Sequence, residues 1–242
     1  MLSGYGKYVG VLSILAIPIF LITTSVTWAI TDLRLYSYGF DKYEVAEAGG
    51  IARDDLISAA RDIRAYFNST NEPLNVKAKV YGEERALFDD REISHMRDVK
   101  RLVWGVYIAG ATSGTYLLAT TLVGFLRNGR RFATVFSRCI LYGGMLTVSL
   151  VLTVGLIAML AFDQLFQLFH QVSFSNDFWQ LDPNRHYLVI MFPNGFWFDA
   201  TIFVALASIC MALASSLLAG GYLVATEWRE RKETSGKFSQ SG

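Results

Sequence analysis

Cysteine is nearly missing from this chain: there are two residues, Cys139 and Cys210, in 242. No disulfide framework can hold such a sequence together. A bond between the two is not expected, since it needs their Cα atoms within about 7 Å and they fall in different apolar runs. Prolines number four and histidines three. There is no G-x-S-x-G elbow, P-loop, Gly-rich dinucleotide fingerprint or H-E-x-x-H, which leaves no obvious protein nucleophile or nucleotide site. Internal repeats and low-complexity tracts are absent too. The most informative absence is of charge. No Asp, Glu, Lys or Arg interrupts Val9–Ile30, Leu102–Leu126, Cys139–Phe162 or Ala200–Thr226.

Each of these runs meets the roughly 20 residues that a helix rising about 1.5 Å per residue needs to cross a hydrocarbon core of about 30 Å. Backbone polar groups in lipid have to be paired within the segment or within a closed barrel, so the expected fold is all-α. It is a four-transmembrane-helix bundle, one integral membrane domain over residues 1–242. The first run is longer than a signal-peptide core and no small-residue cleavage site follows it, so it reads as a retained anchor. The link between the second and third runs, Arg127-Asn128-Gly129-Arg130-Arg131 with Arg138 beyond, contains no acid. Arg229, Arg231, Lys232 and Lys237 follow the fourth run, and Lys7 precedes the first. The positive-inside rule then places both termini in the cytoplasm and residues 31–101 and 163–199 outside, as a small cap.

The cap reads as ordered. Leu56, Ala60, Ile63 and Phe67 fall on one helix face, with Asp54 and Asp55 near the N-terminus, where acids suit the dipole. Val76–Tyr81 alternates apolar and polar, Gly82-Glu83 makes a turn, and Arg85–Phe88 returns, which predicts a β-hairpin. A helix capped by Asp89 or Asp90 then runs through His95 into the second span. The loop at 163–199 is dense in aromatics, largely Phe, beyond what interfacial anchoring requires. Pro183 and Pro193-Asn194-Gly195 predict turns before the fourth span.

Two histidines fall at one depth. Arg91, His95, Asp98 and Leu102 follow at i, i+4, i+7 and i+11, a single helical stripe. His170 ends the third span, with Phe166, Gln167 and Asp163 one and two turns behind it. His186, in Pro183-Asn184-Arg185-His186, reads as a solvated loop residue. A histidine at a helix end is often only a polar interfacial group, and an aromatic loop is as often packing as substrate lining. Convergence of two histidines, two acids and aromatics at one level favours function, because ionisable groups at membrane depth are costly. Two imidazoles without a protein nucleophile suit a transfer between groups already on the substrate. One would take a proton and the other would stabilise an oxyanion, with their rings about 5–10 Å apart. A rival reading is a non-catalytic subunit of a larger membrane complex, its histidines binding haem or a pigment, or a purely structural subunit.

Several segments resemble the lipoprotein intramolecular transacylase family: Arg91-Glu92-Ile93-Ser94-His95-Met96-Arg97-Asp98-Val99, Phe169-His170 ahead of Phe178-Trp179, and Phe192-Pro193-Asn194-Gly195-Phe196-Trp197. The resemblance covers most of the chain, and the His95 segment is its most specific part. It implies four spans with an extracytoplasmic cap in a bacterial cell membrane, and neither metal nor organic cofactor. The implied activity moves the sn-2 acyl chain of an S-diacylglyceryl-cysteine lipoprotein to the free α-amine of that cysteine, giving the lyso form. The implied partners are the diacylated lipoprotein and membrane lipid, not nucleic acid; a larger membrane complex stays open. His95 and His170 match the expected catalytic pair. Arg91, Asp98, Phe169, Phe174, Phe178, Trp179, Phe196 and Trp197 are the expected substrate lining. Asp98 beside His95 marks His95 as the base and His170 as the oxyanion partner.

Overall fold

The computed structural model describes residues 4–239 and the side chains of residues 8–232, so the basic side chains of Lys7 and Lys237 lie outside those described. In chain order the elements are α1 (Gly4–Thr31), α2 (Leu33–Lys42), α3 (Val45–Gly49), α4 (Arg53–Phe67), β1 (Lys77–Val80), β2 (Glu83–Ala86), α5 (Asp90–Ser173), α6 (Tyr187–Met191) and α7 (Asn194–Ser239). Three described helices, α1, α5 and α7, are long and apolar enough to cross a membrane. The sequence counts four runs because the second and third both fall within α5. The helix of the fourth run also starts before that run: Pro193 does not delay α7, since a proline ahead of the first turn removes no helical N–H bond.

The chain forms two compact units. Of the described residues, one comprises 4–23, 109–152 and 206–239. Its outward side chains are aliphatic, among them Leu12, Leu118, Leu122, Leu150, Leu217 and Leu218, whereas Ser13, Thr147, Ser208 and Ala212 are buried. Ile17 and Leu21 are buried with them, yet most large apolar side chains of this unit face outward, unlike those of a soluble protein. It follows because lipid offers no hydrophobic drive between helices, so close contact falls to small residues. On α1, Ser13 Oγ lies 3.4 Å from Tyr116 Oη. One turn later, Ile17 packs against Gly143, whose added Cβ would come within 2.7 Å of it. A straight helix would hold residues 116 and 143 about 40 Å apart. Helix α5 therefore doubles back between them, and Gly129, at φ 50°, supplies the left-handed residue of the reversal. Arg127, Arg130, Arg131 and Arg138 are all exposed around that bend. Cys139 is buried, Cys210 lies exposed on α7, and neither is in a disulfide.

The other unit comprises residues 24–108 and 153–205. Asp32 caps α2 by accepting the Arg34 N–H at 3.0 Å. Leu56, Ile63 and Phe67 of α4 are buried as their spacing requires, and each contributes about 1.5–3 kcal/mol by leaving water. Strands β1 and β2 pair antiparallel, Lys77 opposite Ala86 and Val80 opposite Glu83. The turn is Tyr81-Gly82, not Gly82-Glu83 as the alternation suggests. A two-residue hairpin turn of type I′ needs two positive φ values, and here Tyr81 has 51° and Gly82 has 88°. Val80 also bridges Ile51, and the Tyr81 N–H donates to the Gly50 carbonyl at 2.7 Å. The hairpin thus packs on the α3–α4 link and delivers the chain to Asp89, the cap of α5.

Candidate active site

Asp89 opens α5 with a reciprocal cap. Its carboxylate accepts the N–H groups of Arg91 and Glu92 at 2.9 and 3.0 Å, and Glu92 Oε2 accepts the Asp89 N–H at 2.9 Å. Glu92 does more than cap. It is buried, and its Oε1 accepts the Leu188 N–H of α6 at 2.7 Å. Burial raises its carboxyl, opposed by those two peptide donors. One turn on stands His95. At the other end of α5, His170 lies in the last helical turn. Both precede or follow the apolar runs rather than lying inside them.

The two imidazole centroids are 5.9 Å apart, with the rings tilted 30°. His95 is 7% exposed and His170 is 8% exposed. Aromatic rings supply that burial. Phe166, Phe169, Phe174 and Trp179 stand 4.4, 5.3, 5.6 and 5.2 Å from the His170 ring, and Phe174 meets His95 edge-on at 5.1 Å. His170 Nδ1 is 2.7 Å from the Phe166 carbonyl oxygen. A carbonyl only accepts, so Nδ1 carries the proton, and the neutral ring keeps its lone pair on Nε2. His95 Nδ1 is buried without a hydrogen-bond partner.

Burial holds the His95 imidazole far below its ordinary 6.5, at about 4; His170 beside it acts the same way and Asp98 opposes. Burial also lowers His170, with the Phe166 carbonyl opposing. Both rings are therefore neutral near pH 7, one ready to accept a proton and the other to donate a hydrogen bond.

The remaining expected site residues divide. Phe169, Phe174 and Trp179 touch the histidines. Trp197 reaches them only through Phe166, at 6.1 Å. Phe196 is buried in the cap core against Phe192 and Tyr36, and Phe178 is 42% exposed; among the described residues neither ring contacts a histidine. Arg91 donates through Nη2 to the Asp177 carbonyl, and its Nε is buried without a partner. Asp98 makes no hydrogen bond to His95. Its Oδ2 accepts from Asn176 Nδ2 at 2.8 Å and its Oδ1 from Arg101 at 3.0 Å. Asp163, the other candidate acid, accepts from Asn194 at 2.6 Å. His186 is not a solvated loop residue. It is buried, its Nδ1 accepts the Asp182 N–H at 2.7 Å, and its Nε2 faces Asp89 at 3.4 Å. Sequence reasoning assigns no role to Asn176 or Glu92. The only signal for Asn176 is its place in a Ser-Asn-Asp turn.

A family model described as lipoprotein intramolecular transacylase Lit matches residues 11–197. An uncharacterized protein of Aquifex aeolicus is 26% identical over 165 residues, covering 68% of this chain and 71% of its own. The in meso structure of the membrane integral lipoprotein intramolecular transacylase Lit from Bacillus cereus superposes with a TM-score of 0.78 at 17% identity, over 92% of this chain and 97% of that one. A variant of the same protein with one histidine changed to arginine gives 0.74 at 16% identity, over 93% and 94% of the two chains. These structural likenesses concern the fold.

Proposed function

The chain belongs to the lipoprotein intramolecular transacylase family, and on that basis we propose that it moves the sn-2 acyl chain of a diacylglyceryl lipoprotein to the α-amine of the same cysteine, with His95 and His170 as the catalytic pair. The observation that carries the assignment is the pair of buried imidazoles 5.9 Å apart. A haem or pigment would need an open slot beside an imidazole, whereas rings of the chain itself crowd His170.

The α-amine nitrogen attacks the sn-2 ester carbonyl and gives up a proton. The carbonyl oxygen becomes an oxyanion, the tetrahedral centre collapses, and the sn-2 glycerol oxygen leaves with that proton. The products are an N-acyl amide and an S-monoacylglyceryl group with a free hydroxyl. Both reacting groups belong to one molecule, so the protein mainly orients them and relays the proton. Hydrogen bonding favours the reverse of the roles that spacing suggests. The fixed Nδ1–H of His170 leaves Nε2 as the base, and His95 donates to the oxyanion. The Trp179 ring, 5.2 Å from His170 and tilted 36° to it, suits the imidazolium formed in that step.

The proposed topology has four passes, α5 supplying two, with both termini cytoplasmic and the histidines on the outer side. Support comes from the bend at Gly129 and the arginines around it. In a cysteine-free background, a cysteine at position 130 should be labelled only after the membrane is permeabilised; labelling by an impermeant reagent on intact cells overturns the topology. For the activity, a reporter lipoprotein co-expressed with the chain should carry the lyso form in the mass spectrum of its N-terminal lipopeptide. A reporter that stays diacylated overturns the reading.

A pH dependence follows. The substrate amine, with a pKa of about 8, has to lose its proton, so the rate should rise about tenfold per pH unit below that value. The histidine pKa values are depressed, so their neutral forms persist below 6.5. The slope should therefore not steepen as pH falls through 6.5. A second break there in initial rates in detergent would show that one imidazole titrates as a free one does.

A further inference from the structure

The sequence places Asp98 beside His95, but the structure connects it elsewhere. Residues 174–179 leave the end of α5, with Phe174 in extended backbone, and return across its beginning. Phe174, the first of them, packs its ring against both histidines, and Trp179, the last, packs against His170. Two side-chain hydrogen bonds tie this strap to the start of α5. Arg91, one turn before His95, donates to the Asp177 carbonyl. Asp98, one turn after it, accepts from Asn176 Nδ2 at 2.8 Å. Asn176 Oδ1 accepts the Phe178 N–H at 3.0 Å, which turns the strap toward Trp179. One amide side chain thus sets both the attachment and the direction of the segment that walls the imidazole pair.

We propose that Asn176 and Asp98 form a positioning pair for the transacylation, holding the 174–179 strap so that Phe174 and Trp179 fix the two imidazoles, and that Asp98 acts through this hydrogen bond rather than through its charge on His95. The inference rests on His95 and His170 being the catalytic pair. The bond has a polarity that can be reversed. In N176D two carboxylates face each other and the strap loses its hold. In the double variant D98N/N176D the amide and the carboxylate exchange places. The amide now at position 98 donates to the carboxylate at position 176, whose other oxygen still accepts the Phe178 N–H. Only the exposed Arg101 loses a carboxylate partner, and a surface pair contributes little.

The experiment measures lyso-form yield against time, by mass spectrometry of a reporter lipopeptide, for the wild type, N176D, D98A and D98N/N176D. Thermal unfolding of each purified protein is followed alongside. N176D and D98A should each lose about 10²-fold, the scale of a misplacement near 1 Å. D98N/N176D should recover to within about fivefold of wild type, a coupling that independent sites would not show. Full activity in N176D overturns the proposal. So does a folded double variant as slow as N176D, which would assign Asp98 its effect through charge. If N176D does not fold, the ratio of the double variant to D98A decides the same question. An inactive wild type would instead overturn the proposed function.

Discussion

His95→Ala and His170→Ala are each expected to end lyso-form production while the protein remains inserted in the membrane. Removing the base should cost about 10²–10⁴-fold in rate, and removing the oxyanion donor about 10²–10³-fold. His170→Ala should therefore be the more damaging of the two, and the double variant should be little worse than it, because groups that act as a unit do not add. The check is the reporter lipopeptide spectrum, with protein level and thermal unfolding as controls. Lyso form at wild-type yield from the double variant would rule out the mechanism. A His95→Ala variant far slower than His170→Ala would restore the role of base to His95.

Glu92→Ala should destabilise the unit that holds the histidines. It leaves the Leu188 N–H buried without its acceptor, at about 1–3 kcal/mol, and takes from the more exposed Asp89 N–H a bond that water can replace. The helix that carries His95 also loses its reciprocal cap. His186→Ala should cost less, about 1 kcal/mol, since it removes the acceptor of the Asp182 N–H and a loose contact to Asp89. Thermal unfolding in detergent measures both. A Glu92→Ala protein that melts with wild type would show that Leu188 and Asp89 find other partners. Glu92→Gln separates charge from hydrogen bonding: its one remaining oxygen can serve only one of the two donors, so it should lie between.

Much of the cap is legible in the sequence because its signals are local. Leu56, Ala60, Ile63 and Phe67 share a helix face in any fold that keeps the helix, and Asp89 caps whatever helix begins after it. The hairpin turn is displaced by one residue because alternation marks strands but not the sign of φ, which Tyr81 takes only with Gly50 accepting its N–H. The burial of His186 is hidden because nothing near it in sequence announces Asp89 as its neighbour.

Hydropathy and backbone pairing in lipid act on each segment alone, so the helical, membrane-embedded character of the chain and the positions of its apolar runs follow from residue order. The expectation that His95 and His170 share a level also comes from residue order, because helical rise converts residue number into depth once each run is taken as a pass. The fold as a whole was needed for three things: the reversal of α5 at Gly129, the approach of the imidazoles to 5.9 Å, and the bond from Asn176 to Asp98 in place of one to His95. Hydrogen-bond choice is settled at about 3 Å. At that scale the outcome depends on which donor the rest of the chain brings near, and spacing along one helix does not contain that information.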